Sequence, residues 1–577
     1  MMNKQAYVVP FIHMTTLTCL VYICYASICS LYYAVEPYDE AFYLSEAYHL
    51  VLGGKLFIDF YSIAQLAGLF TYPFLKLFLY IKGNTDGLFL FSRYLYFVVC
   101  FFCLIGISSL LRFKFTYPIA LLISSVCVLF VPFNIHGLSY NTLAMLFLTC
   151  SLFAGFYAVA QCQADKRIYV CGLTKCYWML FLAGVFLFFT LMVYPTLGLL
   201  LPVTVSSVIF YIKPNRRKSA FFAYIMGMAL GSLGLLLLFV RAGINQLQTD
   251  FQLFLSLGVQ GGGLNKFEHI LLTCWSQLPH AKLVIFSLCM IIMASFTPYQ
   301  RIRDLARLVI ILCVLFLIRS NEGLFYMRYL ALLSPFVYLT VRDDPHAHVL
   351  FYMVTIPSLL AGCITSWSSS NGVINSVIGF FPATITTCCY LMMLGYSYTK
   401  PMRYGVIYLL IGLMVLLYPL KRSNELYNYA DLPSAQLTAR VSKGVFSGIY
   451  TTPEKKEYYE NLQSDLRTYV TQEDSILFFD DFPLGYLMVD SMPMTNTTWI
   501  VSSSMYPHYN RQSFIDYFYK ERAFPDMIVR ILHVPMVAAV EPYPYPYRYS
   551  KRDPLFKLFG FYQLVYGNNH YEFYKLI

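Results

Sequence analysis

The sequence predicts a polytopic α-helical membrane protein with a small α/β domain at its C-terminal end. Three observations carry this. The 577 residues are 58% hydrophobic and 12% charged, about half the charge of a soluble domain. Apolar runs repeatedly reach the roughly 18–20 residues that cross a bilayer. The chain also changes character near residue 420. All 16 cysteines precede Lys421, and the rest of the chain carries 16 basic and 17 acidic residues against 25 and 13 before it. The expected organisation is a membrane domain over residues 1–420, with a first outside loop at 35–82, and a cysteine-free α/β domain over 421–577 outside the membrane.

The elements follow in order. Tyr7–Ala34 follows Lys4 and is too long for a signal-peptide core, so it reads as a retained first span. Basic clusters then recur at Arg112/Lys114, Lys166/Arg167/Lys175, Lys213/Arg216/Arg217/Lys218, Arg301/Arg303/Arg307, Arg342 and Lys400/Arg403. The positive-inside rule places these on the cytoplasmic side. The net charge of +11 therefore reads as topology and not as a nucleic-acid surface. Between clusters the chain crosses twice. The opposite turns lie near Asn134–Asn141, Tyr194–Thr196, Arg241–Lys282, Arg319–Arg328 and Trp367–Asn375. Ala64–Ile81 is apolar enough to span, but a span there would invert every later cluster. It reads as an interfacial or re-entrant helix after an amphipathic helix at about Asp39–Leu52. The expectation is about thirteen spans, N-terminus inside and C-terminal domain outside, ending with a span at Met402–Leu420. Beyond it, Glu454–Val470 reads as an amphipathic helix and Ser475–Asp480 and Met527–Leu532 as buried strands. Phe559–Ile577 reads as a hairpin turning at Gly567-Asn568-Asn569. Glu541–Tyr549 is a Pro/Tyr loop or lid candidate.

Five of the 13 acids before residue 421 fall between Glu36 and Asp59. Carboxylates beside a bilayer are costly and mark a functional site. Asp39 and Glu40 follow Pro37 at a helix start. They either cap that helix and complement its dipole, or one acts as a general base on an incoming hydroxyl. Glu46, on roughly the same face as Asp39, and Tyr43 are candidates to contact acceptor or sugar. Asp59 reads as solvated. Arg328 and Arg319 bracket an outside turn; they either snorkel or clamp a lipid-linked phosphate through forked hydrogen bonds. Arg93 sits inside a span and must find a partner, in the acidic cluster or a phosphate, or snorkel. His136 and Asn371 lie in uncharged polar turns suited to sugar hydroxyls, or simply to connecting helices. Cys100 and Cys103 have CxxC spacing in an apolar run and read as packing. No paired histidine spacing points to a metal site.

The stretch EPYDEAFYLSEAYHLVLGGKLFIDFYS after a first span, then LFTYPFLKLF, Gly83-Asn84 and Arg93, resembles the start of GT-C glycosyltransferases. It is most similar to lipid A aminoarabinose transferases and protein O-mannosyltransferases. Met327-Arg328-Tyr329-Leu330 before Pro335 resembles their late Arg-Tyr span. The resemblance implies a GT-C fold, a polyprenyl-phosphate sugar donor, inverting transfer and no required metal or other cofactor. It implies a plasma (inner) membrane setting and a glycan, lipid or protein acceptor. The first acid of the family's Asp-Glu pair maps to Asp39. The Lys-Pro-Pro of aminoarabinose transferases is absent, with Gln65 or Lys76 nearby. The third-to-fourth span turn has Asn134 and His136 where an acid is expected, so the resemblance does not extend to aminoarabinose specificity. A transporter or flippase of a lipid-linked saccharide would place ionisable groups at mid-membrane. A glycan ligase or polymerase would carry its arginines or histidines on a large loop between spans.

Overall fold

The computed structural model describes residues 5–59, 65–163, 169–170, 173–245, 247–248, 325–369, 371–396, 431–479, 482–495, 497–498, 518, 524–535 and 554–577. The first apolar run forms α1 (Gln5–Ser30), followed by an extended linker, α2 (Asp39–Val51), α3 (Gln65–Lys82) and α4 (Leu88–Leu111). The bundle continues through α5 (Tyr117–Ser124), α6 (Val126–Leu129), α7 (Tyr140–Gln163), α8 (Lys175–Val193), α9 (Leu201–Tyr211) and α10 (Arg217–Ala242). After the next described segment begins come α11 (Phe325–Val341), α12 (Pro345–Leu350), α13 (Ile356–Ser368) and α14 (Ser376–Tyr396). Among the described residues seven helices are long and apolar enough to cross a membrane, with three shorter apolar ones. The spans expected between residues 250 and 324 and at 402–420 lie outside the described residues, as do Gly261–Gly263 and the Pro/Tyr run.

The α2 boundaries follow from local chemistry. At its C-terminus Gly53 takes φ +105°. Its N–H bonds to Leu50 O at 3.2 Å and that of Gly54 to His49 O at 2.9 Å, a Schellman closure that glycine permits. α3 is not among the seven spanning helices. It packs Ala67, Gly68, Thr71 and Leu75 inward and leaves Phe74, Leu77, Tyr80 and Ile81 exposed. A Cβ on Gly68 would lie 3.4 Å from Ala47 N, so α3 lies close along α2.

Small residues set the helix crossings. A Cβ on Gly227 (α10) would come within 2.0 Å of Phe181 O, and one on Gly184 (α8) within 2.1 Å of Tyr224 O. Backbone approach of this kind replaces the hydrophobic driving force that lipid cannot supply. Gly227→Leu is expected to lower stability by about 1–3 kcal/mol through overpacking, read by unfolding in mixed detergent. Gly106→Ala, which meets nothing within 4 Å, serves as the neutral control.

Among the described residues the loops that carry Lys114, Arg216 and Arg342 come together at one end of the bundle. Lys114 pairs with Asp344, which caps α12 by accepting from His346 N at 2.9 Å. Arg216 donates to Cys162 O at 3.3 Å, and Tyr211 and His348 Nε2 lie 3.2 Å apart. Within the bundle Cys103 Sγ lies 3.9 Å from Cys127 Sγ and 3.7 Å from Cys150 Sγ, in the apolar core.

In the polar C-terminal segment Thr452 caps α15 (Pro453–Tyr469) through Lys455 N, with Pro453 at its first position. Strands β1 (Tyr169–Val170) and β2 (Leu173–Thr174) form a short hairpin between α7 and α8, and β3 (Ala439–Arg440) pairs β4 (Tyr450–Thr451). A four-stranded sheet runs β5 (Ile476–Phe479), β6 (Met527–Ile531), β8 (Tyr571–Leu576), β7 (Tyr562–Gly567) in spatial order. β5 and β6 are parallel and the others antiparallel. β5 is buried at all four positions, as its unbroken Ile-Leu-Phe-Phe run requires. This segment shares one apolar core with α2–α4. Val35, Leu44, Ala47, Leu88 and Phe89 pack with Phe446, Tyr459, Leu462, Phe478 and Val489. The Phe89 and Phe446 rings lie 4.4 Å apart. Apolar burial, without a disulfide, holds the C-terminal segment on the first loop.

Candidate functional site: an acidic cluster at the end of the bundle

The linker between α1 and α2 is gripped from both sides. Tyr33 and Tyr450 form a parallel bridge. Ala34 N donates to Tyr450 O at 2.9 Å and Tyr450 N to Tyr32 O at 2.7 Å. Arg93, from α4, donates through Nη1 to Leu31 O and Tyr33 O and through Nη2 to Ala34 O, each at 2.9 Å. Ala34 is held at φ +70°, a left-handed backbone costing about 1–2 kcal/mol for a residue with a Cβ. Such strain persists only where surrounding bonds over-determine it.

Each acid of the cluster then takes a distinct state. Glu36 caps α2, accepting from Tyr38 N at 3.0 Å and Glu40 N at 2.5 Å. The cap expected of Asp39 is thus made by Glu36, three residues before the helix begins at Asp39. Burial and the Asp39 carboxylate push Glu36 well above the usual carboxylate range, against the pull of its two N–H donors. Glu40 is paired bidentately with Arg93, Oε1 to Nε and Oε2 to Nη2, both at 2.8 Å. Both side chains are 2% exposed. Glu46 is buried further along α2. Asp59 accepts from Lys55 N at 2.7 Å in an exposed loop, as a solvated acid should.

Asp39 differs from all of these. Among the described residues no hydrogen bond or ion pair holds its carboxylate. It is half-buried at the first position of α2, and burial raises it to about 6.

These contacts correct two readings. Arg93 has five N–H donors, and all five go to Glu40 and three backbone carbonyls. It takes the pairing alternative, and a role as phosphate ligand is not available in this geometry. Glu40 is correspondingly a neutralised anchor and not a free catalytic carboxylate.

The polar turns assemble around the same end. A Cβ on Gly137 would lie 3.8 Å from Glu40 Cγ, which sets the Asn134–Asn141 turn against α2. Tyr43 packs on Tyr140 at 5.5 Å between centroids, and Tyr140 on Tyr194 at 5.7 Å. Thr196 Oγ1 donates to Ser368 Oγ at 3.1 Å, and Asn375 Nδ2 to Ser369 Oγ at 2.6 Å. Arg328 is buried on α11 and donates to Val373 O at 3.2 Å, so it belongs to this end of the bundle. His136 is buried and packs edge-on to Tyr96 at 6.3 Å. Asn371 is exposed, its N–H on Ser369 Oγ. Arg319 lies outside the described residues.

Sequence reasoning missed Asp431, Lys455, Tyr140 and Tyr194. Asp431 Oδ2 accepts from Val35 N at 2.9 Å and Thr451 Oγ1 at 2.8 Å. Its Oδ1 accepts from Leu432 N at 3.0 Å and pairs with Lys455 Nζ at 3.3 Å. One signal was present for Lys455. It shares a helical stripe with Tyr458, Tyr459, Leu462 and Leu466, all buried, and a lysine in an apolar stripe needs a buried anion.

No protein-family model matches the sequence, and no curated protein matches it. Among solved structures the chain is similar to the oligosaccharyltransferase AglB of Archaeoglobus fulgidus in complex with an inhibitory peptide and a dolichol-phosphate. That likeness has 11% identity, covers 90% of this chain and 69% of that one, and has a TM-score of 0.48. The Archaeoglobus fulgidus oligosaccharyltransferase in complex with Zn and sulfate gives 10% identity, 89% and 68% coverage and a TM-score of 0.47.

Proposed function

We propose that this protein is a membrane glycosyltransferase of GT-C type. It would move a sugar from a polyprenyl-phosphate donor to an acceptor hydroxyl outside the cytoplasm, with inversion and Asp39 as general base. The observation that carries the reading is the singular state of Asp39. Within a cluster whose other acids are bonded, buried or solvated, it alone combines partial exposure, a raised proton affinity and, among the described residues, a carboxylate without a hydrogen bond. A base poised near the working pH is the state general-base chemistry requires.

In this proposal Asp39 takes the proton of the acceptor hydroxyl as its oxygen attacks the sugar C1. The C1–O bond to phosphate breaks on the opposite face, and the electron pair leaves with the phosphate. The charge that develops is met by Arg328, with Arg319 as a second candidate, in place of a metal ion. A pre-placed guanidinium stabilises the transition state more than the ground state. Tyr43, Tyr140 and Tyr194 supply aromatic faces beside Asp39, and Glu46 contacts the acceptor or sugar. Glycan, lipid and protein acceptors all fit this scheme. The membrane is the inner membrane, with the basic end of the bundle inside. Among the described residues the buried acids and arginines before residue 397, Glu36, Glu40, Glu46, Arg93 and Arg328, gather around this one end, which supports this reading over a transporter.

Purified protein in lipid should release polyprenyl phosphate from one member of a panel of polyprenyl-phosphate sugars, with cell-envelope extract as acceptor. The rate should depend on pH with a definite sign. Asp39 accepts a proton only when ionised, and its raised value is about 6. Turnover should therefore be level above about pH 7 and fall toward tenfold per unit below about pH 5. A rate independent of pH from 4.5 to 8, or no turnover and no donor binding, would sink the reading.

A further inference from the structure

We propose that Asp431 and Lys455, both carried by the C-terminal segment, are positioning residues that hold the α1–α2 linker and with it the Glu36–Asp39 turn. The candidate acid site is then complete only when that segment is docked. The inference rests on the function proposed above for its activity arm alone.

The geometry begins at Val35. Its N–H is bonded by Asp431 Oδ2 at 2.9 Å, one residue after Ala34 N meets Tyr450 O. Two consecutive linker amides are thus held by residues about 400 positions away in the chain. The next residue is Glu36, whose carboxylate caps α2 and fixes the entry of Asp39. Asp431 is held in turn by four donors: Val35 N, Thr451 Oγ1, Leu432 N and Lys455 Nζ. Asp431 is 1% exposed and Lys455 is 3% exposed, so each depends on the other to offset loss of hydration.

Charge balance points the same way. Arg93 neutralises Glu40, and Lys455 neutralises Asp431. Glu36 is also within the field of Lys455. The groups facing Lys455 are Asp431 from its own segment and Glu36 from the linker. Tyr459 on α15 also lies in the field of Tyr38, Asp431 and Glu36. Removing the ammonium leaves Asp431 and Glu36 with one cation fewer. The C-terminal segment accordingly does more than cover the site; it supplies bonds and charge that give the linker its shape.

The test uses the full chain in lipid nanodiscs, comparing wild type, Lys455→Met, Lys455→Arg and Asp431→Asn. Amide hydrogen exchange is followed in peptides covering residues 31–40 and, as an internal reference, β5 and β6. Lys455→Met and Asp431→Asn should speed exchange in 31–40 by about tenfold or more while β5 and β6 stay protected. Lys455→Arg should restore protection. Where wild type turns over donor, Lys455→Met should also lower kcat with KM little changed, and Lys455→Arg should restore it, a split that a merely structural loss would not give.

Unchanged exchange in 31–40, or an equal rise across β5 and β6, would overturn the proposal. So would faster linker exchange in Lys455→Met with wild-type turnover. Faster linker exchange in a protein whose wild type turns over no donor would leave the positioning in place and sink the glycosyltransferase reading, so the two failures are distinct.

Discussion

Asp39→Asn is expected to abolish donor turnover, by about 10²–10⁴-fold, while leaving the fold at least as stable as wild type at neutral pH. The two halves of this result come from one cause. Burial raises the Asp39 carboxyl from its ordinary range to about 6, and among the described residues nothing bonds it in return. For an acid with a raised folded-state value, the charge works against folding above the unfolded value. That penalty disappears as pH falls and the group protonates. Asparagine removes the charge and keeps the shape. Thermal unfolding at neutral pH should give a Tm no lower than wild type, and the gap between the two should narrow as pH falls through about 6 and close below about pH 4. Most substitutions at half-buried positions go the other way. A residue whose loss spares stability and removes activity is retained for chemistry. A folded Asp39→Asn variant with wild-type turnover would end the case for Asp39 as base. A markedly lowered Tm would show that its carboxylate makes a stabilising contact.

Much of this site was legible in the chain because its determinants are local. Pro37 and the Asp39–Glu40 pair mark the start of α2, and Gly53-Gly54 closes it; both are read within one helical turn. The hairpin at Gly567-Asn568-Asn569 and the buried runs at β5 and β6 are equally local, set by turn chemistry and side-chain alternation. Arg93 stood out because a guanidinium inside an apolar span must find a partner, although its sequence neighbourhood did not say which. The choice between Glu40 and a phosphate was settled by geometry 53 residues away. What stayed hidden depends on long-range docking. The bond from Val35 N to Asp431 joins residues 396 apart, and no periodicity encodes it. The capping role of Glu36 was missed for a different reason. Ordinary caps sit next to the helix, whereas Glu36 reaches back across Pro37, and a longer side chain makes the reach possible. The apolar stripe of α15 was visible and Lys455 lies within it, but no local pattern names Asp431 as its partner.

Arg93→Met is expected to cost about 3–5 kcal/mol of stability, the usual consequence of removing one partner from a buried ion pair. The side chain is nearly isosteric along its stem, so little of this comes from lost packing. It comes from what remains. Glu40 is left at 2% exposure without its cation. Leu31 O, Tyr33 O and Ala34 O each lose a donor, and buried acceptors left without one cost about 1–3 kcal/mol each when water cannot reach them. Ala34 at φ +70° also loses one of the bonds that hold it there. The linker then has reason to relax, carrying Glu36 and Asp39 with it. Unfolding in mixed detergent measures the loss, and a double-mutant cycle separates its parts. Glu40→Gln in the Arg93→Met background should recover roughly 1–2 kcal/mol by discharging the stranded acid. The three carbonyls stay unpaired, so recovery stays incomplete. Arg93→Lys should fall between wild type and Arg93→Met. Its ammonium keeps the charge, but three donors cannot reach five acceptors spread over a planar fork. A single mutant as stable as wild type would mean that water or lipid headgroups reach the pair. Full recovery in the double mutant would locate the whole effect in Glu40 and remove Arg93 from any part in shaping the linker.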